Sequence, residues 1–105
     1  MESDYEKGLE LLRAGEYFAA HEALEDAWRA APPEERDFYQ GLVHVAVSLH
    51  LERRGSLTGM RSQLGKARRR LAPYAPAHRG VDISAVVAWC DRSLEAGGCD
   101  GNPPV

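Results

Sequence analysis

The chain predicts an all-α fold, a compact single-domain bundle of about five helices with the third at its centre. Three observations carry this. Apolar residues recur at three- and four-residue spacing through five segments. Glycine or proline punctuates the joins between them. No stretch alternates apolar and polar residues as a half-buried strand would. At 105 residues the chain makes one domain, large enough for a modest core without disulfide or metal staples.

The first helix follows Ser3, which with Glu6 forms a capping box, and carries Tyr5, Leu9 and Leu12 up to Gly15. The second begins near Glu16 and places Tyr17, His21, Leu24 and Trp28 on one stripe. It stops before Pro32-Pro33, because proline disfavours a helical predecessor. Glu34 and Glu35 suit the positive end of the third helix, expected over about Glu34 to Arg54. Its main stripe is Phe38, Leu42, Val45 and Leu49, but Val43, Val47 and Leu51 populate other sides. A helix apolar on several sides belongs in the middle of a bundle. Gly55 closes it and Ser56 is placed to cap the fourth helix, whose stripe is Leu57, Met60, Leu64, Ala67 and Leu71. Pro73, Pro76 and Gly80 mark a loop. Asp82 then caps a fifth helix with the face Ile83, Val87, Cys90 and Leu94, ending at Gly97-Gly98. The helical domain is therefore expected over residues 1–98, with the Gly- and Pro-rich residues 99–105 a disordered tail. A shift of forty residues superposes Leu11, Arg13, Gly15 and Leu24 on Leu51, Arg53, Gly55 and Leu64. We read this as two antiparallel hairpins sharing one turn chemistry, since solenoids need three or more repeats.

Composition narrows the function classes. No window approaches the ~18 apolar residues of a membrane span. The acidic start, Met1-Glu2-Ser3-Asp4, carries no apolar secretory core, so the expected location is cytoplasmic with no membrane partner. Cys90 and Cys99 lack metal-ligand or redox spacing and are expected to be reduced. The net charge of −3 is unevenly spread. Residues 1–37 hold eleven acids and four bases, a net of −7, and residues 38–105 hold five acids and nine bases, a net of +4. The bases concentrate in the fourth helix. There Arg61 and Arg68 flank the buried stripe, within reach of acids in the N-terminal half, and Arg69 and Arg70 lie farther out. That outer pair is the candidate contact for an acidic protein surface. No aromatic residue interleaves the basic run, which argues against a nucleic-acid platform.

One block resembles a known signature. Arg13-Ala14-Gly15-Glu16-Tyr17-Phe18-Ala19-Ala20-His21-Glu22-Ala23-Leu24-Glu25-Asp26-Ala27-Trp28 is similar to that of a bacterial and archaeal family known as domain of unknown function 309. Phe38-Tyr39-Gln40-Gly41-Leu42, Ala46, His50 and Arg53-Arg54-Gly55 extend the resemblance, which covers about residues 5–72. It implies a helical bundle and an unassigned activity. The chain departs from that pattern at two positions, where glutamine would be expected in place of His44 and asparagine in place of Ser56.

The residues that bear chemistry are His21, Glu22, Glu25, Trp28, Gln40, His44 and His50. His21 and Glu25 stand one turn apart on the stripe shared with Tyr17, Leu24 and Trp28, where an unpaired polar group costs about 1–3 kcal/mol. Gln40 and His44 repeat the spacing on the third helix. Facing each other, these four would form a polar seam between helices two and three. Fully bonded, the seam fixes register; open to solvent, it is a small pocket. Trp28 reads as a core anchor whose indole N–H would find Gln40 or Glu25. A metal reading is weaker. His-Glu-x-x-Glu lacks the second histidine of a zincin, and it appears once where a di-iron bundle needs two such motifs. His44 and His50 lie about 120° apart around their helix and about 9 Å along it, so at most one could join His21. No cofactor, metal site or catalytic residue is therefore assigned. The leading function is a non-enzymatic binding or protein-interaction module. The alternative is a small metal-binding protein or hydrolase-type enzyme using His21, Glu22 and Glu25.

Overall fold

The computed structural model describes residues 2–105. Five helices run in the order α1 (Asp4–Arg13), α2 (Tyr17–Ala30), α3 (Arg36–Arg53), α4 (Leu57–Leu71) and α5 (Ile83–Ala96). Each packs chiefly on its neighbours in sequence, and α3 lies against both α2 and α4 with the largest contacts of the fold. Among the described residues no helix is long and apolar enough to cross a membrane.

The echo at an offset of forty is the same turn made twice. Gly15 and Gly55 both adopt left-handed backbone, at φ 79° and 82°. The next N–H bonds back to the carbonyl of Leu11 or Leu51, at 2.9 Å in each case. The glycine N–H bonds to Leu12 or Glu52. This paired arrangement satisfies the last carbonyls of a helix and reverses the chain in two residues. It also changes the role of Ser56. Its side chain caps nothing; its backbone N–H closes α3 while its carbonyl accepts from Met60 to open α4. The other two caps form as expected, Ser3 accepting from the N–H of Glu6 and Asp82 from that of Ala85.

The start of α3 is later than its composition implies. Pro33–Glu35 forms a 3₁₀ turn held by Glu35 N–H donating to the Pro32 carbonyl, and the α-helix begins only at Arg36. A second 3₁₀ turn, Ala72–Tyr74, follows α4. The expected loop then contains a two-residue hairpin in which β1 (Ala77–His78) pairs antiparallel with β2 (Val81–Asp82).

The core is built from Leu12, Leu24, Phe38, Leu42, Val45, Leu64 and Leu71, all fully buried, with α5 covering one end. The buried face of α5 is rotated from the expected one. It comprises Ile83, Val86, Trp89, Cys90 and Ser93, while Val87 and Leu94 are only partly covered. Trp89, not Trp28, is the fully buried indole.

That rotation explains a second correction, residues 99–105. Expected to be a disordered tail, they run back across the bundle. Trp89 Nε1 must be satisfied once buried, and it donates to the carbonyl of Asp100 at 3.0 Å. Asp100 N–H bonds Ser93 Oγ, Asn102 bonds the Tyr17 hydroxyl and the Arg13 carbonyl, and Arg13 donates twice to the Val105 carbonyl. The tail thus joins α5 to the α1–α2 turn.

Close approaches at glycines set the helix spacing. A Cβ on Gly8 would lie 2.6 Å from Leu24, and one on Gly41 would lie 2.6 Å from Leu71. Gly65, on α4, faces open space. Gly41→Ala should therefore destabilise the fold by about 1–3 kcal/mol through overpacking. Gly65→Ala should stabilise it by about 0.5–1 kcal/mol through helix propensity. Urea denaturation of the two variants measures both, and a loss of stability for Gly65→Ala would contradict the packing described.

Candidate functional site

Helical period sorts the residues of α3 into an inner and an outer face. Phe38, Leu42, Val45, Ala46 and Leu49 point into the core. Gln40, His44, Val47 and His50 follow at three- and four-residue steps and are only half-buried. α2 flanks this outer face on one side and α4 on the other. The ring of Phe18 on α2 lies 5.2 Å from that of His50 and 5.9 Å from that of His21. On the other side His44 Nδ1 lies 2.6 Å from Gln63 Oε1 on α4.

The expected seam between helices two and three does not assemble. His21 and Glu25 pair with each other along α2, Nε2 to Oε2 at 3.3 Å, and Arg29 adds a longer contact to the same carboxylate. Trp28 is half-buried with the guanidinium of Arg36 4.8 Å from its ring centre. Its Nε1 finds neither Gln40 nor Glu25 and has no partner among the described residues. His44 turns the other way, to α4. With Gln63 Oε1 as acceptor, Nδ1 of His44 is the donor, and the buried Nε2 has no partner among the described residues. Burial and then the nearby positive charges of α4, Arg70 foremost, hold His44 below the ordinary histidine range and so neutral, outweighing the Gln63 bond. Glu22 is exposed on α2. The candidate residues thus run as a strip along α2 and the outer face of α3 and do not form a closed cluster.

The arginines of α4 differ from expectation. Arg70 is half-buried and bonds Asp37 at 2.7 Å, so it is not free for a partner. Arg68 meets Asp91 on α5 and Arg61 the Leu94 carbonyl, instead of acids in the N-terminal half. The helix order is the reason, since α5 covers the flank of α4 that a one-helix wheel leaves open. Arg69 remains exposed.

A second polar centre lies elsewhere, at the start of α3. Glu35 is buried and accepts from His78 Nε2 at 2.8 Å and from Arg79 Nε. Burial alone would raise its carboxyl, but the bonds from Arg79 and His78 outweigh that and hold it below the ordinary carboxylate range. Around the centre stand Phe38, Tyr39, Tyr74 and Tyr5. The His78 ring lies 4.7 Å from Phe38 and 4.8 Å from Tyr74. Sequence reasoning missed this centre because its members are more than forty residues apart. Glu35 reads there as one of two first-turn acids, with nothing to set it apart from Glu34. A cleft of about 590 Å³ opens beside it, lined among others by Tyr5, Tyr39 and Arg79 and by none of the seven expected residues.

Cys90 and Cys99 are free thiols, each pushed up by burial to about 12. Among the described residues no three His, Cys, Asp or Glu side chains converge on a point where a metal ion could sit.

Comparison with known proteins adds a family and no activity. A model described as "Domain of unknown function (DUF309)" matches residues 5–63. An uncharacterized protein of Aquifex aeolicus (strain VF5) is 29% identical over 91 residues, covering 86% of this chain and 27% of its own length. The uncharacterized protein YpuF of Bacillus subtilis (strain 168) is 32% identical over 68 residues, covering 64% of this chain and 37% of its own. The chain thus spans roughly a quarter to two fifths of these relatives. No solved structure matches the chain.

The Glu35 centre has a pH signature. A carboxyl held below its free value of 4.5 stabilises the fold fully above that value, and the contribution is lost as pH falls through the lower, folded-state value. Glu35→Gln should therefore be less stable than the wild type at pH 7. The gap should close steadily as the solution is acidified below about pH 4.5. Denaturant midpoints at several pH values test this, and a gap that widens on acidification would contradict it.

Proposed function

Since the chain belongs to the family of domain of unknown function 309, we propose that it acts as a non-enzymatic binding module, engaging a protein partner through the strip on α2 and α3. The observation that carries this reading is Phe18. It is 53% exposed and is set between the imidazoles of His21 and His50. A large apolar ring held at the surface by its neighbours loses little freedom on docking, and exposed aromatics of this kind form the anchors of protein interfaces. Val47, His44 and Gln40 continue the strip along α3 and Glu25 and Trp28 along α2, mixing apolar area with donors and acceptors as an interface does. Glu22 and Glu25 at the rim would set orientation and salt dependence. The greater length of the relatives supports the same reading, since a domain that occupies a minor share of longer chains suits a recognition role.

A photo-crosslinking amino acid in place of Phe18 or Val47, introduced in cells, tests the reading. Both positions should yield a discrete protein adduct that the same group at exposed Ala88 of α5 does not. Elemental analysis of the untagged protein tests the alternative. Stoichiometric zinc, iron or manganese that disappears in His21→Ala would replace the interaction module with a metal protein built on His21, Glu22 and Glu25.

A further inference from the structure

We propose that the cleft between the first turn of α1 and the last turn of α2 binds a small amino carboxylate, a free amino acid or dipeptide with an apolar side chain. The cleft lies at the opposite end of α2 from Phe18, so the proposal is independent of the interaction strip. Its volume of about 590 Å³ falls within the range of small-molecule sites. Tyr5 and Tyr39 provide aromatic walls and Ala27, Ala30 and Ala31 a lining of small residues, room for an apolar side chain.

The charged groups define the rest of the ligand. Arg79 occupies the first loop position of the β1–β2 hairpin at φ 47°, backbone that an L-residue adopts under strain and that Asn, Asp or Gly usually fills. Three ties hold it there. Its Nε donates to buried Glu35, its carbonyl accepts from the Tyr5 hydroxyl at 2.7 Å, and its guanidinium lies 5.8 Å from the Tyr39 ring centre. Glu35 engages only the Nε edge. Among the described residues the two Nη nitrogens have no partner, and the side chain lines the cleft half-exposed. A guanidinium fixed in this way offers a preorganised fork for a carboxylate. Asp4 and Glu6 line the same cleft from α1. Their charge opposes a phosphate or any polyanion, and Arg79 opposes a simple organic cation. A zwitterion satisfies both, its carboxylate on Arg79 and its ammonium on the acids of α1.

Titration of the full chain with L-phenylalanine and with glycyl-L-phenylalanine, followed by amide NMR shifts, tests this. At least one should saturate, with the largest shifts at Tyr5, Ala30 and Arg79. 3-Phenylpropionate, which lacks the amine, and phenethylamine, which lacks the carboxylate, should each bind at least about tenfold more weakly, as loss of one charge-assisted bond implies. Ala30→Leu fills the cleft from an exposed position and should abolish the shifts while leaving the remaining spectrum intact. Failure of both zwitterions to saturate would overturn the proposal. So would equal binding of either one-ended analogue, or binding to Ala30→Leu at wild-type strength.

Discussion

The bundle depends on close approaches in which a leucine side chain rests on a glycine backbone. Leu24 of α2 sits where a side chain on Gly8 of α1 would be, and Leu71 of α4 sits likewise over Gly41 of α3. Interiors at crystal-like density do not yield by the ångström or so that an added methyl would demand, so these contacts set the spacing of α1 to α2 and of α3 to α4. The rest of the arrangement follows. α1 packs on α2 and α5 on α4, while α3 takes α2 on one side and α4 on the other and so joins the two halves. The same turn, built on Gly15 and Gly55, delivers each second helix antiparallel to the first.

Local order of this kind leaves the ends of the chain to be fastened by long-range polar contacts, and two groups of them do so among the described residues. Glu35 ties the β1–β2 hairpin to the start of α3 through His78 and Arg79, with Tyr5 closing the ring from α1. The tail makes the other, from Trp89 and Ser93 to Tyr17 and Arg13. Arg53 reinforces it, donating to the Gly15 carbonyl at 2.7 Å with its guanidinium over the Tyr17 ring. Both fasteners use groups that burial would otherwise leave unsatisfied, the carboxylate of Glu35 and the indole N–H of Trp89, which is why they form where they do.

What could be read in the sequence and what could not divides along the same line. Helix identity, the caps at Ser3 and Asp82 and the central place of α3 rest on residues within one or two turns of each other, and periodicity reports those directly. The face of α5 was misread because Val86 and Trp89 make as good a helical stripe as Val87 and Leu94; only the position of α4 and the tail decides between them. A wheel places Arg68 beside the buried stripe and Arg70 farther out, but it matches neither to Asp91 or Asp37, since it carries no information on the neighbouring helix. The candidate strip was legible as residues and not as a geometry. His44 is expected to face the His21/Glu25 stripe of α2, and it meets Gln63 on α4 instead.

With the fold in hand, the residues that carry the family resemblance separate by what holds them in place. Leu24 and Gly41 are explained by the close approaches, Ala20, Phe38, Leu42 and Ala46 by burial, and Tyr17 and Arg53 by the stacked contact that fastens the tail. Packing accounts for none of Phe18, Glu22 or His50, and it accounts for only part of His21 and Glu25. Phe18 is the sharpest case. An exposed phenylalanine contributes little to stability, because most of its ring stays in water, and it adds an aggregation hazard that a polar residue would remove. Folding alone gives no reason for such a ring between two imidazoles on the outer side of α2 and α3. The contact proposed above would, because the area left uncovered in the isolated domain is the area that docking would bury.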